Sequence, residues 1–493
     1  MFYRNLALRS ISVDYFDNDS SVIIHTIGNF AFSECQRLET LQLPAHITTL
    51  GTHLFTNCFS LSGNINLPNG LTSVSNLSFL GPISPNVTFS VAPRSTTENL
   101  LTNRLVVRGL SPSSAMETTC LIQKQNDKAV LVHGGQVQNL DFRLNGWLTG
   151  EAFFDVPIHI RTIQSYAFKN NTTLVSLNLP PYFEAAGESA FENCANLQSV
   201  SYTVADVLAN TRTIAKKAFY GCTSLTTFDF IEDATVGDYA FAKCTNLQCY
   251  TQGQNSDSVG DYGNYVFSDC TSLVNICLYT AGNLGVGLFE NCPNLSNIKI
   301  IGFGSSVPTP FCKFFASTDL AAEEDNFYIA RPYYYDAATD QIKNDLYYKI
   351  PRTLAKITFN YNLDSLPVNS SIGFFSGLAS VQEINHRINT IADYCFYGCT
   401  NLSLVLKSGA FNITKIGNYS FAGCYNLKDL DSTDHVTEIG EKAFKNSGVH
   451  YIDLPQISTI NSSAFDNSSI KLIILNNKTV SDLASMGVAS NAP

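Results

Sequence analysis

A single short pattern recurs along almost the whole chain, and it restricts the fold to one built by stacking. In IGNFAFSECQRLETLQLP the residues Ile27, Ala31, Phe32, Cys35, Leu38, Leu41, Leu43 and Pro44 stand at offsets 0, 4, 5, 8, 11, 14, 16 and 17. The same offsets return in AGESAFENCANLQSVSY, from Ala186 through Ala190, Phe191, Cys194, Leu197 and Val200 to Tyr202. The Phe can be followed through Phe32, Phe55, Phe79, Phe153, Phe168, Phe191, Phe219, Phe241, Phe267 and Phe289. After a gap it resumes at Phe375, Phe396, Phe421, Phe444 and Phe465, and most steps are 21 to 28 residues. An internal period of this size is the mark of a solenoid.

Each unit predicts its own local structure. Segments such as Cys270-Leu273-Ile276-Leu278 and Cys292-Leu295-Ile298-Ile300 end in two apolar residues spaced by two, which is strand periodicity. The A-F-x-x-C stretch before them is spaced by three and four, as in a short helix or 3-10 turn. One unit is too small to bury its apolar side, so stacking must make the core. Each Phe is expected to lie on the Phe of the next coil, with the strands paired into one long parallel sheet. The fold class expected is a β-rich α/β solenoid.

Composition agrees. A chain of 493 residues would suggest about three globular domains, but a solenoid uses length to add coils. Charged residues make up 14%, against about a quarter in ordinary domains, so the exterior must be covered largely by uncharged polar residues. The net charge is −11 and Lys and Arg are not clustered, which argues against nucleic acid or anionic membrane as a partner. No apolar run reaches the roughly 18 residues of a membrane helix, so no membrane insertion is expected. Nine of the 14 cysteines, Cys35, Cys58, Cys194, Cys222, Cys244, Cys270, Cys292, Cys399 and Cys424, share one slot of the repeat. Side chains in a straight row neither converge on a metal nor adopt disulfide geometry, so these read as buried free thiols.

Two regions break the rhythm. One carries TTCLIQKQNDKAVLVHGG, where Cys120-Leu121-Ile122 and Val130-Leu131-Val132 flank a polar turn at Asn126-Asp127, predicting a β-hairpin. The other carries NFYIARPYYYDAATDQIKNDLYYKIP, dense in tyrosine at Tyr328, Tyr333, Tyr334, Tyr335, Tyr347 and Tyr348. Tyrosine gives large contact area at small entropic cost and is favoured at interfaces. The same rings could equally close an irregular coil. The expected organisation is an N-terminal cap at 1–20, repeats at 21–80, a hairpin insertion at 81–150, repeats at 151–300, a Tyr-rich insertion at 301–370, repeats at 371–480 and a tail at 481–493.

The unit I-G-x-x-A-F-x-x-C-x-x-L-x-x-L-x-L-P resembles the BspA-like leucine-rich-repeat family over about three quarters of the chain. That resemblance implies a right-handed leucine-rich-repeat superhelix with its parallel sheet on the concave side. It further implies roles in adhesion or protein recognition, and a cell-surface location. The N-terminus MFYRNLALRSISVDYFDNDSS does not read as a signal peptide, and strand positions Cys249 and Cys277 favour a reducing compartment. Location is therefore left open between cytoplasm and cell surface.

No catalytic or cofactor motif is present: G-x-x-x-x-G-K-[ST], H-E-x-x-H and G-x-S-x-G are all missing, and eight scattered histidines occupy no fixed slot. No cofactor or metal is expected. The outward strand slot reads Gln42, Asn66, Asn178, Ser201, Asp229, Thr251, Cys277, Lys299, Asp431 and Asp453, a polar and faintly acidic stripe. Asp429 and Asp431, two apart, are expected on one strand. The chain thus reads as a non-enzymatic, protein-binding solenoid, or alternatively a structural scaffold of a large assembly. The contact candidates are the six tyrosines with Asp229, Lys299, Asp429 and Asp431; self-association is left open.

Overall fold

The computed structural model of the protein describes residues 2–12, 24–74, 84, 87–90, 105–109, 119–125, 128–133, 139–141, 160–179, 183–202, 212–228, 234–251, 260–279, 282–301, 310–317, 325–362, 369, 371–387, 389–407, 413–430 and 433–475. They fall into two compact units, Met1–Leu247 and Gln248–Pro493. Each is a solenoid of short, mostly parallel strands.

The predicted Phe ladder is the core of both units. In the first unit Phe168, Phe191, Phe219 and Phe241 stack with centroids 5.0, 4.8 and 5.4 Å apart and planes within 10° of parallel. In the second, Phe375, Phe396, Phe421, Phe444 and Phe465 stack at 5.4, 5.0, 5.4 and 5.2 Å. Two rungs escaped the sequence pattern. Phe2 stacks on Phe32 at 5.8 Å and so adds a ring to the ladder of the first unit. Within the Tyr-rich segment, Phe314 and Phe315 lie about 6 Å from Phe289, and Phe311 lies 5.7 Å from Phe375, closing the gap in the ladder. Phe79 and Phe153 lie outside the described residues.

The cysteine slot is buried as expected, and it also carries a hydrogen bond. Cys222 Sγ donates to the Phe191 carbonyl of the preceding coil at 3.2 Å, while Cys194 N–H donates to that same oxygen at 3.1 Å. Both lone pairs of the carbonyl are thereby used. The thiol contact recurs from Cys58 to Phe32, Cys194 to Phe168, Cys244 to Phe219, Cys292 to Phe267, Cys399 to Phe375 and Cys424 to Phe396. Asn171 fills the slot differently, its Oδ1 accepting from the N–H groups of Thr173 and Leu174. Ser447 also fills it, but its buried hydroxyl has no partner.

Two expectations are corrected. The A-F-x-x-C stretch is not helical, and among the described residues the one 3-10 element is Phe311–Phe314. The stretch is instead a tight turn closed at both ends by left-handed residues four apart, such as Tyr166 and Asn170, Ser189 and Asn193, Tyr239 and Lys243, or Tyr265 and Asp269. Two such residues cannot belong to one right-handed helix. The sheet, too, is not single, because among the described residues the coils form two ladders. The expected one runs through Ser176–Leu179, Ser199–Tyr202 and Thr227–Phe228 in the first unit. In the second it runs through Cys249–Thr251, Asn275–Tyr279, Asn297–Ile301, Lys356–Asn362, Glu383–Arg387 and Leu404–Lys407.

The other ladder is made by the residues just before the turn. It includes Ala185–Ala186, Arg212–Ile214 and Ala234–Val236 in the first unit, and Thr390–Ile391, Lys415–Ile416, Glu438–Ile439 and Thr459–Ile460 in the second. The Gly of I-G follows these strands because the coils nearly touch there. A Cβ on Gly187 would lie 2.4 Å from Ser165 N, and one on Gly237 2.5 Å from Lys216 N. The predicted hairpin exists as Thr119–Gln125 paired with Lys128–His133, and it extends this second ladder through Ile160–Ile163; its turn residues 126–127 lie outside the described residues. Val87–Ser90 and Asn139–Asp141, inside the range assigned to that insertion, serve as rungs of the first ladder.

Burial raises the thiol of Cys58 from its ordinary 9.0 to about 12, and lifts Cys222 and Cys244 well above it too. A raised thiol stabilises the fold fully below the unfolded value and loses that contribution as pH rises through the folded one. Unfolding free energy should therefore stay level from about pH 6 to 8 with respect to these thiols and fall above about 9, which urea melts across that range will show. Ser447→Cys should gain about 1 kcal/mol in the same assay, since its thiol can reach the Phe421 carbonyl that the shorter hydroxyl misses.

Candidate protein-binding surfaces

The Tyr-rich segment leaves the first ladder without breaking it. Asn297–Ile301 pairs residue by residue with Lys356–Asn362, so everything between is looped out of that sheet. The excursion has its own antiparallel strands, Ala316–Ser317 and Phe327–Ala330 on either side of Tyr348–Pro351. It also carries a hairpin of Tyr334–Asp336 and Gln341–Lys343. The hairpin turn is held by Asp336, which accepts from Ala338 N, Thr339 Oγ1 and Lys343 Nζ. These contacts, Lys343 first, hold its carboxyl down at about 2.

The six tyrosines separate by position. Tyr328 and Tyr348 are buried, which removes them as contact residues. Tyr328 closes the irregular coil instead: its hydroxyl donates to Gly377 O at 3.3 Å and accepts from Ser380 N at 3.4 Å. Tyr334, Tyr335 and Tyr347 are half-exposed. The first two donate to Asp345 and Asp340, and Arg331 lies 5.3 Å over the ring of Tyr347. Burial, then the hydrogen bond to Asp345, raises the Tyr334 phenol to about 12.

Tyr333 joins the excursion to the repeats. Its N–H donates to Ser376 Oγ at 3.1 Å, and its carbonyl sits where a Cβ on Gly373 would come within 1.9 Å. Its ring stacks on Tyr394 at 4.2 Å and meets Tyr397 edge-on at 4.7 Å; Tyr394 in turn stacks on Tyr419 at 5.1 Å. Tyr425 is 56% exposed. None of these repeat tyrosines was singled out from sequence. Tyr394 and Tyr419 occupy the first left-handed position of the turn, and Phe30, His53, Tyr166, Tyr239 and Tyr265 do so in other coils. The signal was available as an aromatic immediately before the A-F pair.

The remaining candidates are dispersed. Asp229 and Asp431 lie outside the described residues. Asp429 is exposed but, contrary to expectation, belongs to no strand. Lys299 is half-buried beside Thr358 in the first ladder. Along the stripe Gln42, Asn66 and Thr251 are exposed, whereas Asn178, Ser201, Cys277 and Asp453 are half-buried. Opposite charges face each other between coils, as in Arg161–Glu184 at 2.9 Å, Lys356–Glu383 at 2.6 Å and Lys415–Glu438 at 2.9 Å. Pairing of this kind leaves little net charge along the faces that carry it. Among the described residues no His, Cys, Asp or Glu cluster could hold a metal, and no helix is long and apolar enough to cross a membrane.

The coil geometry and its sequence unit agree with a family model. A model described as the BspA type leucine-rich repeat region matches residues 2–103, 152–262, 201–308 and 340–471, in six copies. The chain belongs to this family. No match was found among curated protein sequences. Similar solved structures include a leucine-rich cell surface protein of Faecalibacterium prausnitzii, 20% identical, covering 78% of this chain and 99% of that one with a TM-score of 0.33. The pneumococcal vaccine antigen PcpA is 18% identical and covers 69% of this chain and 67% of that one, at 0.34. The Toll–Spatzle complex of Drosophila is 12% identical, covering 94% and 59%, also at 0.33. Leucine-rich-repeat solenoids of this family are typically protein-binding or surface-adhesion proteins.

Tyr328→Phe should cost about 1 kcal/mol in a urea melt, since it unmakes a buried hydroxyl's contacts with Gly377 and Ser380. Amide exchange should report the loosening at Ser380.

Proposed function

We propose that this protein is a non-enzymatic recognition solenoid that holds a protein partner at the tyrosine-bearing face of its second unit. The observation that carries the reading is the meeting of Tyr333 from the looped-out segment with Tyr394 and Tyr397 from the repeats, continued by Tyr419 on Tyr394, with exposed Tyr425 in the same coil as Tyr419. Rigid rings with hydroxyl edges supply contact area at little entropic cost. They are fixed here by stacking, so a partner meets a preorganised surface. The neighbouring hairpin adds Tyr334, Tyr335 and the exposed Ile342. Adhesion at a cell surface fits the family's typical role. A scaffold inside a reducing compartment is favoured instead by Cys249, an exposed free thiol on a strand.

A photo-cross-linking residue placed at Ile342 or Tyr425 should give partner adducts in the native cells, whereas one at Thr459, on the second ladder, should not. Equal yields from all three positions would defeat the reading. Labelling of intact against permeabilised cells then separates the two settings: modification only after permeabilisation excludes adhesion.

A further inference from the structure

The tyrosine-bearing excursion leaves one strand edge open, and we infer that the protein partner docks there in extended form, adding a third strand beside Gln341–Lys343. The inference rests on the protein-recognition reading above and names how the partner is held. The excursion is a two-stranded ribbon: Phe327–Ala330 runs on to Tyr334–Asp336, and Gln341–Lys343 leads back to Tyr348–Pro351. Near its base both sides are covered. Ala316–Ser317 pairs with Lys349 and Tyr348 on one side. The repeats meet the other, where Tyr333 N–H donates to Ser376 Oγ and Gly377 lies against Ala330.

Farther out the cover ends. Ala316–Ser317 stops at Tyr348, and among the described residues no strand pairs with the same side of the ribbon at Gln341–Lys343. Successive residues of an antiparallel strand aim their N–H and C=O to alternate sides, so this edge presents unpaired backbone donors and acceptors. Extended backbone is the ligand that matches them, as in strand addition. Open edges are commonly guarded by an outward lysine. Here Lys343 reaches across the hairpin to Asp336 instead, which leaves exposed Gln341 and Ile342 unguarded. Ile342 stands opposite Tyr335 on one face of the hairpin, while Gln341 and Lys343 share the other. A partner strand thus meets apolar side chains on one face and polar ones on the other, which calls for alternating apolar and polar residues. An isolated two-stranded hairpin is marginal, so a third strand also stabilises the tip itself.

The probe is a fluorescein-labelled peptide, Ser-Thr-Val-Thr-Val-Thr-Ser, read by anisotropy and by amide exchange on the full chain. Its comparator is the same peptide N-methylated at every internal residue, which keeps the side chains and removes the backbone donors. The parent peptide should bind and the comparator should not. At about ten times its dissociation constant, the parent should slow exchange of the amides at 341–343 about tenfold. Ile342→Val should keep the binding, whereas Ile342→Asp, which sets a charge on the edge, should abolish it. Tyr451→Leu, at an exposed strand tyrosine elsewhere in the unit, should have no effect. Absence of binding, equal binding of the N-methylated peptide, or slowed exchange confined to other segments overturns the inference. Photo-adducts from Ile342 and Tyr425 would still stand in each of those cases, so recognition at this face and its strand-adding form fail separately.

Discussion

Everything in this solenoid depends on one residue doing three things at once. The repeat Phe places its ring on the ring of the preceding coil, gives its N–H to the next coil, and offers its carbonyl to two donors. Phe191 shows the set: it stacks on Phe168 and Phe219, donates to Ala218 O at 2.7 Å, and accepts from Cys194 N and Cys222 Sγ. Burying a Phe contributes roughly 1.5 to 3 kcal/mol and a favourable ring pair about 0.5 to 1.5 more. The hydrogen bonds add less, but they fix the spacing at which the rings meet. Because each coil touches only its neighbours, the core is a sum of such steps. Phe311 to Phe315 matter for that reason, supplying ring contact where the regular repeat is interrupted.

Much of this was legible in the spacing of Phe and Cys, because both are buried in every regular coil and their period survives variable loops. The second ladder was hidden. Outside the hairpin and Ile160–Ile163 its strands are two or three residues long, with one buried residue in pairs such as Lys415–Ile416 and Glu438–Ile439, too few to show a period of two. The turn was misread for a different reason. Apolar spacing of three and four fits a helix, and only backbone chirality excludes it. The cue lay in the second left-handed position, filled by Asn170, Asn193, Gly221, Asp269, Asn291, Gly398 and Gly423, the residue types that tolerate positive φ.

The first left-handed position breaks that rule. Tyr166, Tyr239, Tyr265, Tyr394 and Tyr419 take a conformation that costs a bulky residue about 1 kcal/mol or more. Stacking repays part of this where rings meet, as between Tyr394 and Tyr419. Where a neighbour supplies Gly287 or Ser189 instead, no aromatic partner is present in that coil. Where the next coil supplies Gly287, the Tyr265 ring lies over that glycine, 2.3 Å from where a Cβ would stand, so this ring is accounted for within the stack.

The tyrosines of the looped-out segment could not be sorted from sequence, since Tyr328 is buried by contacts with Gly377 and Ser380, 49 and 52 residues away, while Tyr335 is held in a local hairpin. Their arrangement also shows how the fold admits a long excursion at small structural cost. The first ladder passes directly from Ile301 to its partner Asn360, and the ring ladder is bridged by a single 3-10 turn. Neither depends on the hairpin at 334–343, whose own hydrogen bonds are local to Asp336, Asp340 and Asp345. Change there alters the surface beside Tyr394 and Tyr397 while leaving coil-to-coil contacts intact. A stack of near-identical coils has few other places where a distinctive surface can be made without disturbing a rung.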